Sequence, residues 1–257
     1  MAAATLAQGE TVIEFAAKEP EIQDVARYLV ACGAQIHGIG SSTLRIRGTD
    51  RLEGCEYSLI PDRIEVGTYL AAAAATGGDV CVEECRPDHM AATIEAIERM
   101  GVQIDVGRNT LRARRAGDLR AIQFSTAPYP GLPTDMQPQL SALLCLARGA
   151  GAVRESVYPE RFTHVRGLQR MGARITRRGH LAVVQGVRKM EGTRVGATDL
   201  RAGAALVVAA LAAQGRTVIS KVAQIDRGYQ HIEKRLGKLG ARIRRREARW
   251  AGSRRSA

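Results

Sequence analysis

The segment APYPGLPTDMQPQ carries the residue best suited to chemistry in this chain, Asp135. Prolines between positions 128 and 138 stiffen its approach, which would fix the carboxylate in space. A rigid acid near arginines can take a proton from a substrate hydroxyl or bind that hydroxyl directly. The same aspartate can also cap a helix, because a carboxylate accepts hydrogen bonds from the free amides of a helix start. Basic residues complete the picture: Lys18, Arg86, Arg161 and Arg227 each stand in a loop ahead of a predicted helix. A cation there adds to the helix dipole and makes an anion site. Lys18 and Arg86 read as ordinary surface cations, whereas Arg161 in YPERFTHV and Arg227 in QIDRGYQHIEK read as anion binders.

Other chemistries find less support. Cys32, Cys55, Cys81, Cys85 and Cys145 form an odd set without the spacing of a disulfide framework. Cys81 and Cys85, with Asp88 and His89 beyond, hint at a metal site. However, Cys81 falls inside the strand-like run DVCVEEC and no second ligand pair follows, so no metal is expected. His37 and His180 fall in predicted hairpin turns, and His89, His164 and His231 recur near predicted helices, which makes all five structural. There is no Gly-rich phosphate loop, nucleophile elbow or HExxH pair.

The elements that must position these residues repeat along the chain. Asp62, Asp135 and Asp199 each lie sixteen residues before a glycine, at Gly78, Gly151 and Gly215. The small and aliphatic run between them predicts a helix capped by the aspartate and ended by the glycine in a left-handed conformation. Short strands are expected before it, at 56–60, 122–125 and 193–195, and after it, in VCVEE, VRESV and TVISKV, with GETVIEF in a partial first unit. A second helix follows, as in EPEIQDVARYLVACG, where Pro20 suits the first turn. Ile22, Val25, Ala26 and Leu29 are spaced to face a core. Gly33, Gly101, Gly172 and Gly240 then close that helix and open a hairpin, at intervals of 68, 71 and 68 residues. Each unit is therefore β-α-β-α-β-β. Such units cannot bury both helices alone, so three of them should pack around an axis with helices inside and sheets outside. The aspartate of the first unit would fall ahead of Met1, so the chain is expected to begin inside a repeat.

The 257 residues, 45% apolar and 25% charged, fit an ordinary globular α/β protein with a sizeable core. No run approaches the roughly 18 uncharged apolar residues of a membrane helix. The N-terminus lacks the basic region of a secretory signal, so a cytoplasmic address with no membrane partner is expected. The net charge of +12 owes much to seven arginines between Arg242 and Arg255. Such a run is a solvated end or a nucleic-acid arm, and a positive field also attracts phosphates and nucleotides. With Trp250 alone near it, the tail lacks the aromatic interleaving of single-strand binders, so nucleic acid is not the expected partner.

Glu14-Phe15-Ala16-Ala17, EPEI, LIPDRIEVGT, APYPGLPTDMQPQ, ERFTHV, ATDLRAGAALVVAAL and IDRGYQHIEKRLGKLGA follow one another up to about Arg246. In that order they resemble the enolpyruvyl transferase family, in its branch that acts on UDP-N-acetylglucosamine in peptidoglycan synthesis. The motifs of the shikimate-pathway branch do not match. The resemblance implies an inside-out α/β barrel, of which this chain holds about three and a half β-α-β-α-β-β repeats. Residues 1–49 would be the incomplete last repeat of one domain, 50–247 a three-repeat domain and 248–257 a basic tail. The implied reaction moves the enolpyruvyl group of phosphoenolpyruvate to the sugar 3-hydroxyl, with no cofactor. Asp135 matches the family's base, which also contacts that hydroxyl. Val157 matches a residue lining the sugar nucleotide, and Arg227 one that binds phosphoenolpyruvate. Arg161, Asp199 and Arg201 lie in motifs facing the same cleft. None of the five cysteines matches the family's catalytic one, which sits upstream on a mobile loop. The chain alone is therefore expected to be inactive, and an N-terminal complement is the partner it implies. The alternative is a non-enzymatic basic protein of the same fold that binds nucleic acid or completes a split enzyme.

Overall fold

The computed structural model describes residues 1–246; the tail expected at 248–257 lies outside the described residues. The partial first unit consists of β1 (Glu10–Glu14), α1 (Pro20–Ala31), β2 (Gln35–His37) and β3 (Thr43–Arg47). Its antiparallel sheet has the order β1-β3-β2. The second unit holds α2 (Arg63–Thr76), β4 (Asp79–Val82), α3 (Ala91–Arg99), β5 (Gln103–Val106) and β6 (Leu111–Arg114), with sheet order β4-β6-β5. The third unit is complete: β7 (Gln123–Ser125), α4 (Gln137–Leu146), β8 (Ala150–Arg154), α5 (His164–Arg170), β9 (Arg174–Arg178) and β10 (Leu181–Gln185). Here β7 runs parallel to β8, and β10 pairs antiparallel with both β8 and β9. The fourth unit pairs β11 (Arg194–Gly196) in parallel with β12 (Val218–Ser220) across α6 (Leu200–Ala212), followed by α7 (Ala223–Asp226) and α8 (Ile232–Lys238).

Local chemistry explains most of these boundaries. The Asp62 carboxylate accepts from the amides of Ile64 and Glu65, at 2.8 and 3.0 Å, and starts α2. Pro20 opens α1. At the end of the second helix of each unit, Gly33, Gly101, Gly172 and Gly240 all adopt φ between 91° and 99°, a region closed to most side chains. One backbone demand thus recurs four times at nearly equal spacing.

Four local expectations fail, each for a visible reason. Residues 56–60 form no strand. That segment is held instead to α1, where Asp24 accepts from the Tyr57 hydroxyl at 2.8 Å and the Ile60 amide at 3.3 Å. Asp24 is buried by these contacts, while Val25, expected in the core, is 44% exposed. The helix-ending glycines are also misplaced. α2 is capped one residue early by Gly77, at φ 70°, and α4 and α6 end in the extended residues Ala147 and Ala213. Gly151 belongs to β8, and a Cβ there would meet the Ile122 carbonyl oxygen at 2.7 Å. Its glycine serves a close strand-to-strand approach. Asp135, finally, caps no helix.

The core follows from helices that have no polar side. Arg63, Ile64 and all of Val66–Ala75 in α2 are buried, as are Gln137–Cys145 of α4 and Ala202–Ala209 of α6. Each of the three packs on the other two, with α5 and α7 against α6 and the sheets outside. A second, smaller core joins Ala26, Leu29, Ala34, Ile36, Leu44 and Ile46 in the first unit. The two parts touch where Arg63, 8% exposed, donates from Nε to Glu21 at 2.7 Å. Among the described residues, no helix is long and apolar enough to cross a membrane.

Close helix contact makes one glycine critical. A Cβ on Gly203 of α6 would lie 2.5 Å from Ile225 Cγ1 and 3.2 Å from Ala197 Cβ. Gly203→Ala should therefore destabilise the chain by about 1–3 kcal/mol through overpacking. A lowered urea midpoint with unchanged slope would register this, and an unchanged midpoint would refute it.

Candidate active site

Asp135 sits in a single 3-10 turn, Thr134–Met136, just before α4. The loop leading to it is closed on itself, with the Ala127 amide donating to the Leu132 carbonyl and that of Gly131 to Pro128, both at 2.9 Å. Freed from capping, the carboxylate lies between two guanidinium groups. Arg161 Nη1 donates to Oδ1 at 2.5 Å, while Arg201 donates to Oδ2 from Nε at 2.9 Å and lies 2.8 Å away through Nη2. The three side chains are 15–32% exposed, so the cluster is sheltered and still open to a ligand. Arg161 belongs to the third unit and Arg201 to the fourth, and only packing brings them to one carboxylate.

Arg201 is held from below by a polar ring at the tops of the three central helices. Its Nη1 donates to the Tyr229 hydroxyl at 3.3 Å, and Gln139 Nε2 donates to the same oxygen at 3.4 Å. Thr68 Oγ1 already donates to the Ile64 carbonyl, so the Tyr229 hydroxyl must donate to Thr68, at 2.8 Å. Burial works against the charge on Arg201, but Tyr229 and Asp135 outweigh it and its pKa is raised. Burial likewise raises the pKa of Tyr229 and keeps it a neutral donor. Sequence reasoning missed Thr68, Gln139 and Tyr229. The signal for Thr68 and Gln139 was a polar side chain at a helix position otherwise given to Ala and Leu, whereas Tyr229 lies in the turn between α7 and α8.

Glu155 is a fourth missed residue, and it is fully buried. Its Oε1 accepts from the Thr126 hydroxyl at 2.6 Å and from the amides of Val157 and Tyr158 at 3.0 and 2.9 Å. Thr126 Oγ1 in turn accepts from the Ser156 amide at 2.9 Å. One carboxylate thus clips the loop that carries Asp135 to the loop that carries Arg161. A buried polar oxygen is tolerable only with such partners, which Oε1 has and Oε2 lacks. Glu155→Ala should speed amide hydrogen exchange at Val157 and Tyr158 roughly tenfold or more, while leaving α2 protected. Equal exchange in both proteins would show that the clip is idle.

The remaining residues divide clearly. Asp199 caps α6 through Oδ1, which accepts from the amides of Arg201 and Ala202 at 3.0 and 2.9 Å. Its Oδ2 takes the hydroxyls of Thr163 at 2.5 Å and Thr198 at 3.2 Å. Burial opposes its charge, yet these bonds, led by that from Ala202, hold its pKa below the usual range. Val157 is 43% exposed, and Arg227 is exposed at the end of α7. Among the described residues Arg227 has no carboxylate partner and donates only to Gln224, at 3.4 Å. The structure therefore gathers Asp135, Arg161, Arg201 and Asp199, and leaves Val157 and Arg227 exposed without direct contact to Asp135. Of the two cations read as ordinary, Arg86 is satisfied by a forked pair with Asp88 at 3.0 and 2.8 Å, and Lys18 is exposed. Among the described residues no group of three or more His, Cys, Asp or Glu is placed to hold a metal.

His164 is buried behind the cluster and stacked on Phe162 at 6.1 Å, with neither ring nitrogen bonded. Burial pushes its pKa down from 6.5 to about 3, so the folded state holds it neutral. Between those values the unfolded chain binds a proton that the folded chain refuses. Stability should therefore fall as pH drops through this window, by about 1.4 kcal/mol per pH unit at most from this group. His164→Leu should flatten the dependence of the urea midpoint between pH 6.5 and 4; an equally steep profile would assign the acid sensitivity elsewhere.

The family described as EPSP synthase (3-phosphoshikimate 1-carboxyvinyltransferase) matches residues 1–236. A UDP-N-acetylglucosamine 1-carboxyvinyltransferase of Nitratidesulfovibrio vulgaris is 50% identical over 244 residues, which is 95% of this chain and 58% of the relative. One from Acidobacterium capsulatum is 50% identical over 246 residues, covering 95% and 56%. The crystal structure of the enolpyruvyl transferase NikO from Streptomyces tendae superposes with a TM-score of 0.82 at 32% identity, over 94% of this chain and 58% of that one. EPSP synthase from Acinetobacter baumannii, at 18% identity and a TM-score of 0.68, shares the fold. The chain spans a little under three fifths of the length of the curated relatives it matches. Its inside-out α/β architecture and its sequence agree: the chain belongs to the EPSP synthase family of carboxyvinyl transferases.

Proposed function

We propose that this chain carries the base and the anion-binding arginines of a transferase that moves the enolpyruvyl group of phosphoenolpyruvate to the 3-hydroxyl of UDP-N-acetylglucosamine, a step of peptidoglycan synthesis in the cytoplasm. The observation that carries the reading is the bracketed carboxylate of Asp135. Arg201 occupies Oδ2 with a forked contact, whereas Oδ1 receives Arg161 alone and keeps a lone pair for a hydroxyl. In this reading Oδ1 takes the hydroxyl proton as the oxygen attacks C2 of phosphoenolpyruvate. A second group protonates C3, and the tetrahedral intermediate then gives a C3 proton back to a base as it expels phosphate, which restores the C2–C3 double bond. Arg161 and Arg201 hold the base and place positive charge beside the reacting carboxylate and phosphate. Arg227, free of carboxylate partners among the described residues, supplies a further cation for phosphoenolpyruvate. Val157 lines the sugar nucleotide. Asp199 acts through the α6 start that presents Arg201, so it is a positioning residue.

Because the chain covers 58% of its Nitratidesulfovibrio relative, the purified chain is expected to release no phosphate from the two substrates by itself. The decisive experiment joins this chain to the remainder of that relative and measures phosphate release from the chimera. An active chimera should lose 10²–10⁴-fold in kcat on Asp135→Asn, the usual worth of a positioned base. A loss smaller than about tenfold would remove Asp135 from that role.

A further inference from the structure

Where the joining segment lies along α1, Cys55 of the segment meets Cys32 of the helix end, a pair of thiols which the proposed reaction does not use. Cys32 ends α1 and is buried, Cys55 is exposed, and their sulfurs stand 3.4 Å apart. The contact is held from both sides. Two residues before Cys55, the Glu53 amide donates to the Cys32 carbonyl at 2.8 Å. Two residues after it, Tyr57 donates to Asp24 of α1 at 2.8 Å and sets its ring edge-on to Tyr28 at 5.6 Å. Residues 53–60 therefore lie fixed along α1 with one sulfur over the other.

We propose that Cys32 and Cys55 form a thiol-oxidation site, in which a small-molecule disulfide converts the pair to an intramolecular disulfide that locks the joining segment onto α1. The steps balance. The exposed Cys55 thiolate attacks the small disulfide, forms a mixed disulfide and releases one thiol. Cys32, as its thiolate, then attacks the Cys55 sulfur and releases the second thiol. The protein loses two protons and two electrons, and the co-reactant is reduced to two thiols. Closing the sulfurs from 3.4 Å to the roughly 2.05 Å of a bond needs a small side-chain movement, because the flanking anchors already fix the backbone. The hydrogen bond to Cys32 raises the Cys55 pKa, so Cys55 rests as a thiol until an oxidant arrives.

Oxidised glutathione is the probe, followed by non-reducing tryptic mapping of the intact chain. The wild type should yield peptide 28–45 linked to peptide 52–63, lost on reduction. Cys32→Ala should instead retain glutathione on Cys55, because the resolving thiol is gone. Cys55→Ala, at an exposed position that folding tolerates, should leave Cys32 unmodified. Stable glutathione on Cys55 of the wild type, or two free thiols after exposure that modifies exposed Cys81, would overturn the proposal.

Discussion

Helices without a polar face can leave water only by packing on one another, and α2, α4 and α6 do this around a single axis. That constraint also sets where polar groups can be. Thr68, Gln139 and Arg201 sit near the starts of the three helices, and each would be costly to bury alone. The Tyr229 hydroxyl links them, accepting from Gln139 and Arg201 and donating to Thr68, so the packing that hides the aliphatic residues also assembles the polar ring. The Asp135 cluster rests on that ring through Arg201. Stability and site geometry consequently share one origin.

The three aspartates show how one repeated residue acquires different work. Asp62 and Asp199 each spend an oxygen on two helix-start amides. Asp135 would have matched them had α4 begun directly after it. The intervening 3-10 turn moves the helix start to Gln137, and the carboxylate is released to meet Arg161 and Arg201. The proline-rich insertion is thus more than a stiff approach, since it alters the register between aspartate and helix. Glu155 then fixes that altered loop against its neighbour from within the protein.

The two cores differ in how completely they are covered. The central helices α2, α4 and α6 are buried along most of their length, whereas Phe15 of the first unit is 94% exposed and Leu59 of the joining segment 76% exposed. The joining segment compensates by binding α1 through Asp24 and the Cys32 backbone rather than by extending a sheet. This explains why the strand expected at 56–60 is missing and why α1 turns Asp24 inward in place of Val25. The same contacts bring Cys55 against Cys32.

Sequence by itself determined the repeat, the four glycines that close its second helices and the buried central helices, because each rests on local chemistry or on side-chain periodicity. It also marked Arg161, whose pairing with Asp135 joins residues 26 apart. Tertiary structure alone decided that Arg201 faces Asp135 across 66 residues, that Thr68 reaches Tyr229 across 161, and that Glu155 binds two loops. It also decided that the spare oxygen of the Asp199 cap is filled by Thr163 and Thr198, and that Arg227 stands apart from the carboxylate. Spacing along a chain reports what a helix or turn requires of its own residues. Which buried polar groups satisfy one another depends on how separate helices meet, and that is settled only when they pack.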